Sequence, residues 1–411
     1  MMPDVSFGGL LVVCLVAAAI PLLLGFAPRV RVPSVVLEIV AGIVLGPSVL
    51  GWVRLDLPIQ VLGLIGLAFL LFLSGLEIDA SRLRGRLLRV SALGYLVTLV
   101  LGVPLGLGLR AVGWTSSPLL VAVALSATSL GLVVPVLKDA GQADSEVGQT
   151  AIVAATVADF SAIVLLSLLF SASSGSTGTR VGLLVAFAVL VGATAFAVAR
   201  AGRSMRLGEV LVRLQDTTAE IRVRFAVLLL VAFTFLAERF GLESILGAFL
   251  AGTVVGIVDR DAASHPRFRS KLEAIGFGFL VPVFFVGSGI RLDLTGLFAS
   301  PGALLRVPVF LAALLVVRGV PALLYLRSFG RPDTLAAGLL QATSLPFIVT
   351  AVQIGLELGL LSPVTGAAMI CAGLVSVLVF PLLALTLLRR GAPKAHRGAA
   401  SAGGPVTSVT M

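Results

Sequence analysis

Apolar segments about 20 residues long follow one another along almost the whole sequence, separated by short loops rich in Arg, Pro or Ser. A bilayer-crossing helix needs about 20 mostly apolar residues, and it satisfies its backbone hydrogen bonds within the segment. Only 12% of the 411 residues are charged, whereas a soluble domain carries roughly 25%. The sequence therefore predicts an all-α polytopic membrane protein.

We predict about thirteen transmembrane helices from these segments. They are expected at residues 7–27, 33–50, 58–78, 90–112, 117–137, 147–171, 181–200, 222–239, 241–258, 273–290, 302–326, 334–357 and 363–388. Residues 1–390 would form one transmembrane domain, with six-helix repeats at about 7–171 and 222–388 and a linker helix at about 181–200 between them. Residues 391–411, rich in Ala, Gly, Ser and Thr, are expected to form a disordered cytoplasmic tail.

The basic residues report topology rather than nucleic-acid binding. The net charge is +10, but the 30 Lys and Arg residues are scattered in short loops between the predicted helices. Most of them fall on one side of the membrane if the N-terminus lies outside. The pattern predicts a multi-pass protein of the cell (inner) membrane, with its N-terminus outside, its C-terminus in the cytoplasm and lipid as its surroundings.

Four short patterns occur twice, in the same order and at a nearly constant offset. Ala41-Gly42 recurs as Ala251-Gly252, Ser74-Gly75 as Ser288-Gly289, Gly102-Val103-Pro104 as Gly319-Val320-Pro321, and Ala127-Thr128-Ser129-Leu130 as Ala342-Thr343-Ser344-Leu345. A single linker helix would invert the second repeat relative to the first. Inverted repeats are the architecture of many secondary transporters.

The last of these pairs predicts two discontinuous helices that cross near the membrane midplane. Their core residues are Ala127, Gly131 and Pro135 in the first helix, and Thr343, Ser344 and Pro346 in the second. Polar backbone at that depth must be satisfied by protein or by a wet cavity, so these segments are expected to line a transport site. The alternative is that their small residues only permit close helix packing.

Asp159 is the acidic residue expected deepest in the membrane, about 13 residues or roughly 20 Å of helix from either end of the sixth predicted helix. Burial disfavours the ionised carboxylate, so Asp159 can hold a proton or a monovalent cation in turn. Thr128, Ser129 and Ser161 could add oxygen ligands, which hard cations prefer. The alternatives are a structural partner for a buried base at Asp159 and helix packing for the hydroxyl residues.

Arg318 also falls near the midplane, in the eleventh predicted helix. A guanidinium stays protonated, so Arg318 cannot carry the proton and needs an anionic or carbonyl partner. Asp159 matches its depth, whereas Glu238 and Glu243 lie near the outer ends of neighbouring helices. The sequence does not choose among these three partners.

The remaining acidic residues point to no enzyme. Glu38, Glu77 and Glu357 lie near predicted helix ends, where hydration at the interface is the favoured explanation. No His, Asp, Glu and Cys constellation has metal-ligand spacing, so neither a cofactor nor catalysis is expected.

Five motifs together resemble one family. They are Glu38 to Pro47, Phe72 to Glu77, Ala127 to Gly131, Gly247 to Gly252, and Phe284 to Gly287. As an ordered set they are similar to the monovalent cation:proton antiporters, particularly the bacterial sodium/proton and Kef-type potassium/proton exchanger branch. The resemblance runs from about residue 10 to 388.

This resemblance implies a homodimer, with a dimerisation domain and a core domain of crossed, broken helices that moves in an elevator-like fashion. It also implies site residues. Asp159 falls on the family's ion-binding aspartate, Thr128 on the threonine of the first broken helix, and Arg318 on its basic core residue. The expected function is secondary active exchange of Na⁺ or K⁺ for H⁺, which would serve ion transport and pH homeostasis.

One position departs from the family pattern. Relatives commonly carry Asp, Asn or Gln immediately before the ion-binding aspartate, and here that residue is Ala158. Alanine neither ionises nor coordinates, so one carboxylate remains and electroneutral 1:1 exchange is expected.

A competing hypothesis is a sodium-coupled symporter of an organic solute, which would need a larger polar cavity.

Overall fold

The computed structural model describes residues 7–26, 32–78, 85–139, 141–170, 177–202, 220–258 and 266–391, and these are almost entirely helical. The helices are α1 (Gly8–Phe26), α2 (Ser34–Leu45), α3 (Leu57–Leu76), α4 (Gly85–Ala111), α5 (Pro118–Ser126), α6 (Leu130–Asp139), α7 (Glu146–Phe170), α8 (Thr177–Gly202), α9 (Ile221–Arg239), α10 (Ser244–Val258), α11 (Pro266–Ile275), a first π-helical turn (Gly276–Leu280), α12 (Val281–Ile290), α13 (Leu294–Phe298), α14 (Pro301–Leu304), α15 (Arg306–Leu314), a second π-helical turn (Leu315–Gly319), a 3-10 helix (Val320–Tyr325), α16 (Arg331–Gln341), α17 (Pro346–Glu357) and α18 (Pro363–Gly391).

Each predicted segment falls on one helix or on a run of consecutive helices. Within the described residues, eight runs are long and apolar enough to cross a membrane, and shorter apolar helices lie at 34–45, 118–134, 181–197 and 244–257. The expected all-helical membrane fold is confirmed. The total of about thirteen spans, the inverted repeats and the domain limits stay predictions. The expected linker helix falls on α8, and residues 392–411 of the expected tail lie outside the described residues.

Both predicted interruptions are confirmed. Helix α5 ends at Ser126 and α6 begins at Leu130, while α16 ends at Gln341 and α17 begins at Pro346. The two interruptions lie against each other, because the Thr128 hydroxyl donates to the Gln341 carbonyl at 2.6 Å. The chain thus brings four helix ends to one place.

Two segments that we predicted as single regular helices, 273–290 and 302–326, are irregular. The first contains the π-helical turn Gly276–Leu280, and the second contains the π-helical turn Leu315–Gly319 followed by the 3-10 helix. Proline has no amide hydrogen, and Pro282 and Pro321 follow the two π-helical turns, where the normal bonding pattern is lost. The second turn carries Arg318, and π-helical turns are frequent at functional sites.

Glycines allow two pairs of helices to cross at backbone contact. A side chain at Gly42 of α2 would collide with the Val286 carbonyl of α12, and one at Gly289 would collide with the Ile39 carbonyl of α2. The repeat-related pair behaves alike. Side chains at Gly75 of α3 and Gly252 of α10 would each collide with a carbonyl of the opposite helix, from Phe249 and Phe72 respectively. This exchange of contacts is what a two-fold relation between the halves would produce.

Gly75→Ala is expected to destabilise the protein, whereas Gly63→Ala in the same helix is not. The added methyl group at position 75 meets backbone of α10, while at position 63 it meets nothing within 4 Å. Overpacking of this kind costs about 1–3 kcal/mol. Thermal melting of the detergent-solubilised variants, followed by size-exclusion chromatography, measures the difference. Equal melting temperatures for the two variants would contradict the packing described here.

Large exposed apolar side chains occur on most of the described helices. On α1 they include Leu11, Leu15 and Leu22, and on α9 they include Leu228 and Val231. One large cluster of buried apolar residues connects α2 and α3 with α7, α10, α12 and α17. An apolar exterior around an apolar core fits a protein whose solvent is lipid. The helix crossing lies inside this core.

Candidate functional site

The interruption between α5 and α6 leaves backbone amides without helical partners, and Asp159 accepts two of them. Ala127 has extended backbone angles (φ −80°, ψ 157°). The Thr128 amide donates to Asp159 Oδ1 at 3.2 Å, and the Leu130 amide donates to Asp159 Oδ2 at 3.3 Å. The carboxylate therefore lies at the N-terminus of α6, where unpaired amides and the helix dipole favour a negative charge.

The two interruptions also bond to each other. The Ser129 amide donates to the Thr343 carbonyl at 3.0 Å, and the Ser129 hydroxyl accepts from the Leu345 amide at 3.0 Å. The Ser344 amide donates to the Ser376 hydroxyl of α18 at 3.3 Å. Each broken helix thus satisfies backbone groups that the other leaves free, as polar backbone at membrane depth requires.

Arg318 lies behind the crossing and is 1% exposed. Its Nε donates to Thr128 Oγ1 at 2.9 Å and, at 3.4 Å, to the Gln341 carbonyl; its Nη2 also donates to Thr128 Oγ1. Its Nη1 donates to Thr98 Oγ1 of α4 at 3.2 Å. Within the described residues, no carboxylate forms an ion pair with this guanidinium. Thr128 therefore lies between the two charges, with its amide on Asp159 and its hydroxyl on Arg318.

Asp159 faces a cavity of about 50 Å³. The cavity is large enough for a few water-sized species, because one water needs about 10–15 Å³. Its lining comprises Val35, Leu70, Leu71, Leu73, Ser74, Glu77, Thr128, Ser129, Leu130, Gly131, Leu132, Asp159, Ile163, Phe277, Phe285, Pro346 and Phe347. Thr128, Ser129 and Asp159 lie at the interrupted helix, whereas Ser74 and Glu77 lie at the end of α3, with Arg269 4.0 Å from Glu77. The cavity is thus mostly apolar, with its polar side chains at these two places.

The structure brings most of the predicted site residues to this crossing. Asp159, Thr128, Ser129, Gly131 and Pro346 line the cavity, and Ala127, Thr343 and Ser344 are buried beside it. Position 135 lies in α6, and the side chain of Pro135 is outside the described part of the structure.

Three predicted site residues lie elsewhere. Ser161 is not among the cavity-lining residues, because two residues of helix turn its side chain about 200° from that of Asp159. Glu238 is exposed, and the Glu243 amide donates to Ser167 at 3.0 Å. The hydrogen bonds that Arg318 makes within the described residues go to hydroxyl and carbonyl oxygens. The structure therefore supports neither Glu238 nor Glu243 as its partner.

Three residues contribute to this site that the sequence analysis did not assign to it, and a fourth, Glu38, is buried elsewhere. Thr98 and Gln341 bind Arg318, and Glu77 shares the cavity with Asp159. Interfacial hydration does not explain Glu38, which is 4% exposed. Glu77 stands in the conspicuous segment Phe72 to Glu77 and could have been found there, whereas a threonine in an apolar helix gives no signal.

Crossed, interrupted helices around one membrane-embedded carboxylate are typical of secondary transporters. The comparison with protein families agrees with this class. Residues 14–389 match the family "Sodium/hydrogen exchanger, transmembrane", and the chain belongs to this family.

Individual relatives give the same assignment. The chain is 30% identical over 404 residues to YjbQ of Bacillus subtilis, whose name provisionally assigns it Na⁺/H⁺ antiport, and covers 64% of that protein with 95% of its own length. It is 26% identical over 381 residues to a Na⁺/H⁺ antiporter of Enterococcus hirae, and the match covers 90% of this chain and 96% of that protein. Its fold resembles the sodium proton antiporter MjNhaP1 of Methanocaldococcus jannaschii, with a TM-score of 0.64 at 19% identity over 92% of this chain and 98% of that one. The chain thus spans less than two thirds of YjbQ.

Proposed function

We propose that this protein exchanges a monovalent cation, Na⁺ or K⁺, for H⁺ at Asp159. The observation that carries the proposal is the set of contacts that the Asp159 carboxylate makes. It faces the cavity, accepts two backbone amides, and has no ion-pair partner within the described residues. A carboxylate that no basic side chain neutralises can take either a proton or a cation, and the two compete.

Competition at one site is sufficient for exchange. When Asp159 holds H⁺ or a cation the site is neutral, so it crosses between facing states more easily than the empty anion. Ser129 and the backbone of the interrupted helix provide the further oxygen atoms that an alkali cation prefers. The Thr128 hydroxyl is committed to Arg318 and Gln341, so we propose that Thr128 acts through its backbone.

The size of the cavity disfavours symport of an organic solute. Small-molecule sites typically occupy about 300–1,000 Å³, whereas the cavity at Asp159 measures about 50 Å³. Its lining is also mainly apolar. A site of this size suits an ion with few waters.

We further propose an elevator-type cycle in a homodimer, embedded in the cell inner membrane with the N-terminus outside. Two hydrogen bonds on one side of the site support the cycle: Gln353 Nε2 donates to Ser288 Oγ at 3.1 Å, and the Glu243 amide donates to Ser167 Oγ. The first links α17 of the crossing to α12, and the second links α7, the helix of Asp159, to the loop before α10. Movement of the crossing toward the other facing state would have to break them.

The test is a pH-gradient assay in proteoliposomes. The interior is loaded with acid, and Na⁺, K⁺, Li⁺ or Rb⁺ is added outside in turn. Alkalinisation of the lumen with Na⁺ or K⁺ is expected, and the series identifies the cation. Wild-type protein that dissipates no gradient with any of the four cations would refute the proposal.

Exchange is expected to be independent of membrane potential. Ala158 is fully buried and cannot ionise, and Glu77 lies at the end of α3, 4.0 Å from Arg269, which also pairs with Glu273 at 3.0 Å. One carboxylate would therefore exchange one proton for one cation without net charge movement. Initial rates at zero potential and at an imposed inside-negative potential should agree within about twofold, since a charged step would gain about 2.3 kcal/mol per 100 mV. A steep response would instead implicate a second proton-binding group, and Glu77→Gln then tests Glu77.

A further inference from the structure

Thr98 lies outside the helix crossing and accepts a hydrogen bond from Arg318. The other acceptors, Thr128 Oγ1 and the Gln341 carbonyl, belong to the two interruptions. Thr98 belongs to α4, is fully buried, and receives Nη1 at 3.2 Å. It thus holds one end of the guanidinium while the crossing holds the other.

The direction of the hydrogen bonds shows that Thr98 presents lone pairs to Arg318. Its hydroxyl proton goes to the Gly94 carbonyl at 3.1 Å. The Thr128 hydroxyl proton likewise goes to the Gln341 carbonyl. A hydroxyl has one proton and two lone pairs, so both threonines face the guanidinium as acceptors only. Two neutral oxygens thus accept the hydrogen bonds that a carboxylate would otherwise accept from a buried guanidinium.

In the part of the chain that the structure describes, few other titratable groups face this arrangement. Tyr95 of α4 donates to or accepts from Ser126 at 3.0 Å, and Tyr325 of the 3-10 helix lies close to Arg318. Glu77 faces Asp159 across the cavity. Helix α5, the interruption after it and helix α16 contribute Ser126, Thr128 and Gln341, respectively, to the surroundings of Arg318, and none of these residues titrates. Asp159 is therefore the carboxylate of this arrangement toward which a displaced guanidinium would turn.

We propose that Thr98 is a positioning residue for the exchange: its hydroxyl anchors the Nη1 end of Arg318 and thereby keeps the guanidinium from pairing directly with Asp159. Direct pairing would place a fixed positive charge where the transported cation must bind. Anchoring leaves the carboxylate open to the cation while Arg318 still stabilises the crossing through Thr128. This inference rests on the exchange function proposed above.

Thr98→Val tests the anchor, because it removes the acceptor and nearly preserves the shape. The released Nη1 is expected to turn toward Asp159. The apparent KM for the cation should then rise about tenfold or more, with the maximal rate within about twofold, as for loss of one hydrogen bond to a charged group. A nearer positive charge also favours the anionic carboxylate, so the pH profile of exchange should move toward lower pH.

The controls separate the anchor from packing. Thr98→Ser keeps the hydroxyl and should restore the wild-type KM and pH profile. Thr150→Val removes a comparable buried hydroxyl, one that donates to the Glu146 carbonyl at 2.7 Å, and should shift neither. Should Thr98→Val not be recovered as monodisperse protein, Thr98→Ala removes the same acceptor and takes its place.

Two outcomes overturn the proposal. One is an unchanged KM and pH profile in Thr98→Val or its substitute while the wild type exchanges cations. The other is the same shift in Thr98→Ser as in Thr98→Val, which would assign the effect to packing. Absence of exchange in the wild type is a different failure, because it removes the proposed function itself.

Discussion

Asp159→Asn is expected to abolish cation-dependent alkalinisation in proteoliposomes. Asparagine has nearly the same shape, and its Oδ1 can still accept the Thr128 amide that Asp159 accepts at 3.2 Å. It can neither take up a proton nor neutralise a cation. Removing one member of a desolvated charge pair costs about 3–5 kcal/mol, which corresponds to a loss of at least about 100-fold. The expected result is a folded protein without exchange.

A matched control exists in α3. Asp56 also accepts a backbone amide at a helix N-terminus, from Ile59 at 3.1 Å, but it does not line the cavity. Because asparagine caps helices about as well as aspartate, Asp56→Asn should keep both stability and exchange. Both variants are reconstituted at equal density and compared by dequenching after Na⁺ or K⁺ addition. Exchange retained in Asp159→Asn would refute the assignment of the site.

The sequence indicated Asp159 because a charge in mid-helix contradicts its apolar surroundings. Few physical explanations other than function account for such a residue, and its depth follows from the length of one helix. The two helix interruptions could be predicted equally well, since the repeated Ala-Thr-Ser-Leu pattern marked both of them. What lies within one helix, or recurs as a pattern in two, can be inferred without knowing the tertiary contacts.

Partners across helices could not be inferred in this way. The charge of Arg318 suggested an acid, yet the structure gives it hydroxyl and carbonyl oxygens. Thr98 carried no signal, because a helical threonine that bonds the carbonyl four residues earlier is common; Thr234 does the same at 2.8 Å. Ser161 was a candidate ligand through its closeness in sequence to Asp159, but it is not among the residues that line the cavity, since closeness along a helix does not fix the face.

Local helix geometry also could not be predicted from the sequence. Prolines follow both π-helical turns, but Pro104 and Pro381 lie inside α4 and α18 without interrupting them. Whether a proline distorts its helix depends on what the neighbouring helices offer to the freed carbonyl. The burial of Glu38 also depends on neighbouring helices. The position of Glu38 along the sequence gave its depth in the bilayer but did not show which helices pack around it.

Arg318→Met is expected to abolish exchange and to lower the thermal stability of the protein. Methionine fills a similar volume but donates nothing, so the lone pairs of Thr98 and Thr128 lose their donor at a buried position. Each buried polar group left unsatisfied costs about 1–3 kcal/mol. The Asp159 anion also loses the positive charge that acts on it through Thr128. Both consequences follow from one guanidinium that bonds the crossing of the two broken helices.

Arg318→Lys separates the two consequences. Lysine keeps the charge but presents one compact donor group instead of a planar fork, so it can serve Thr128 or Thr98 but not hold both in the arginine geometry. Its melting temperature should lie between those of Arg318→Met and the wild type, with exchange reduced about tenfold, as for loss of one bond to a charged group. Arg110→Met, at an exposed position of α4, controls for loss of an arginine and should change neither property. Wild-type stability in Arg318→Met would mean that the crossing holds without the guanidinium, and wild-type exchange would mean that Asp159 does not need its charge.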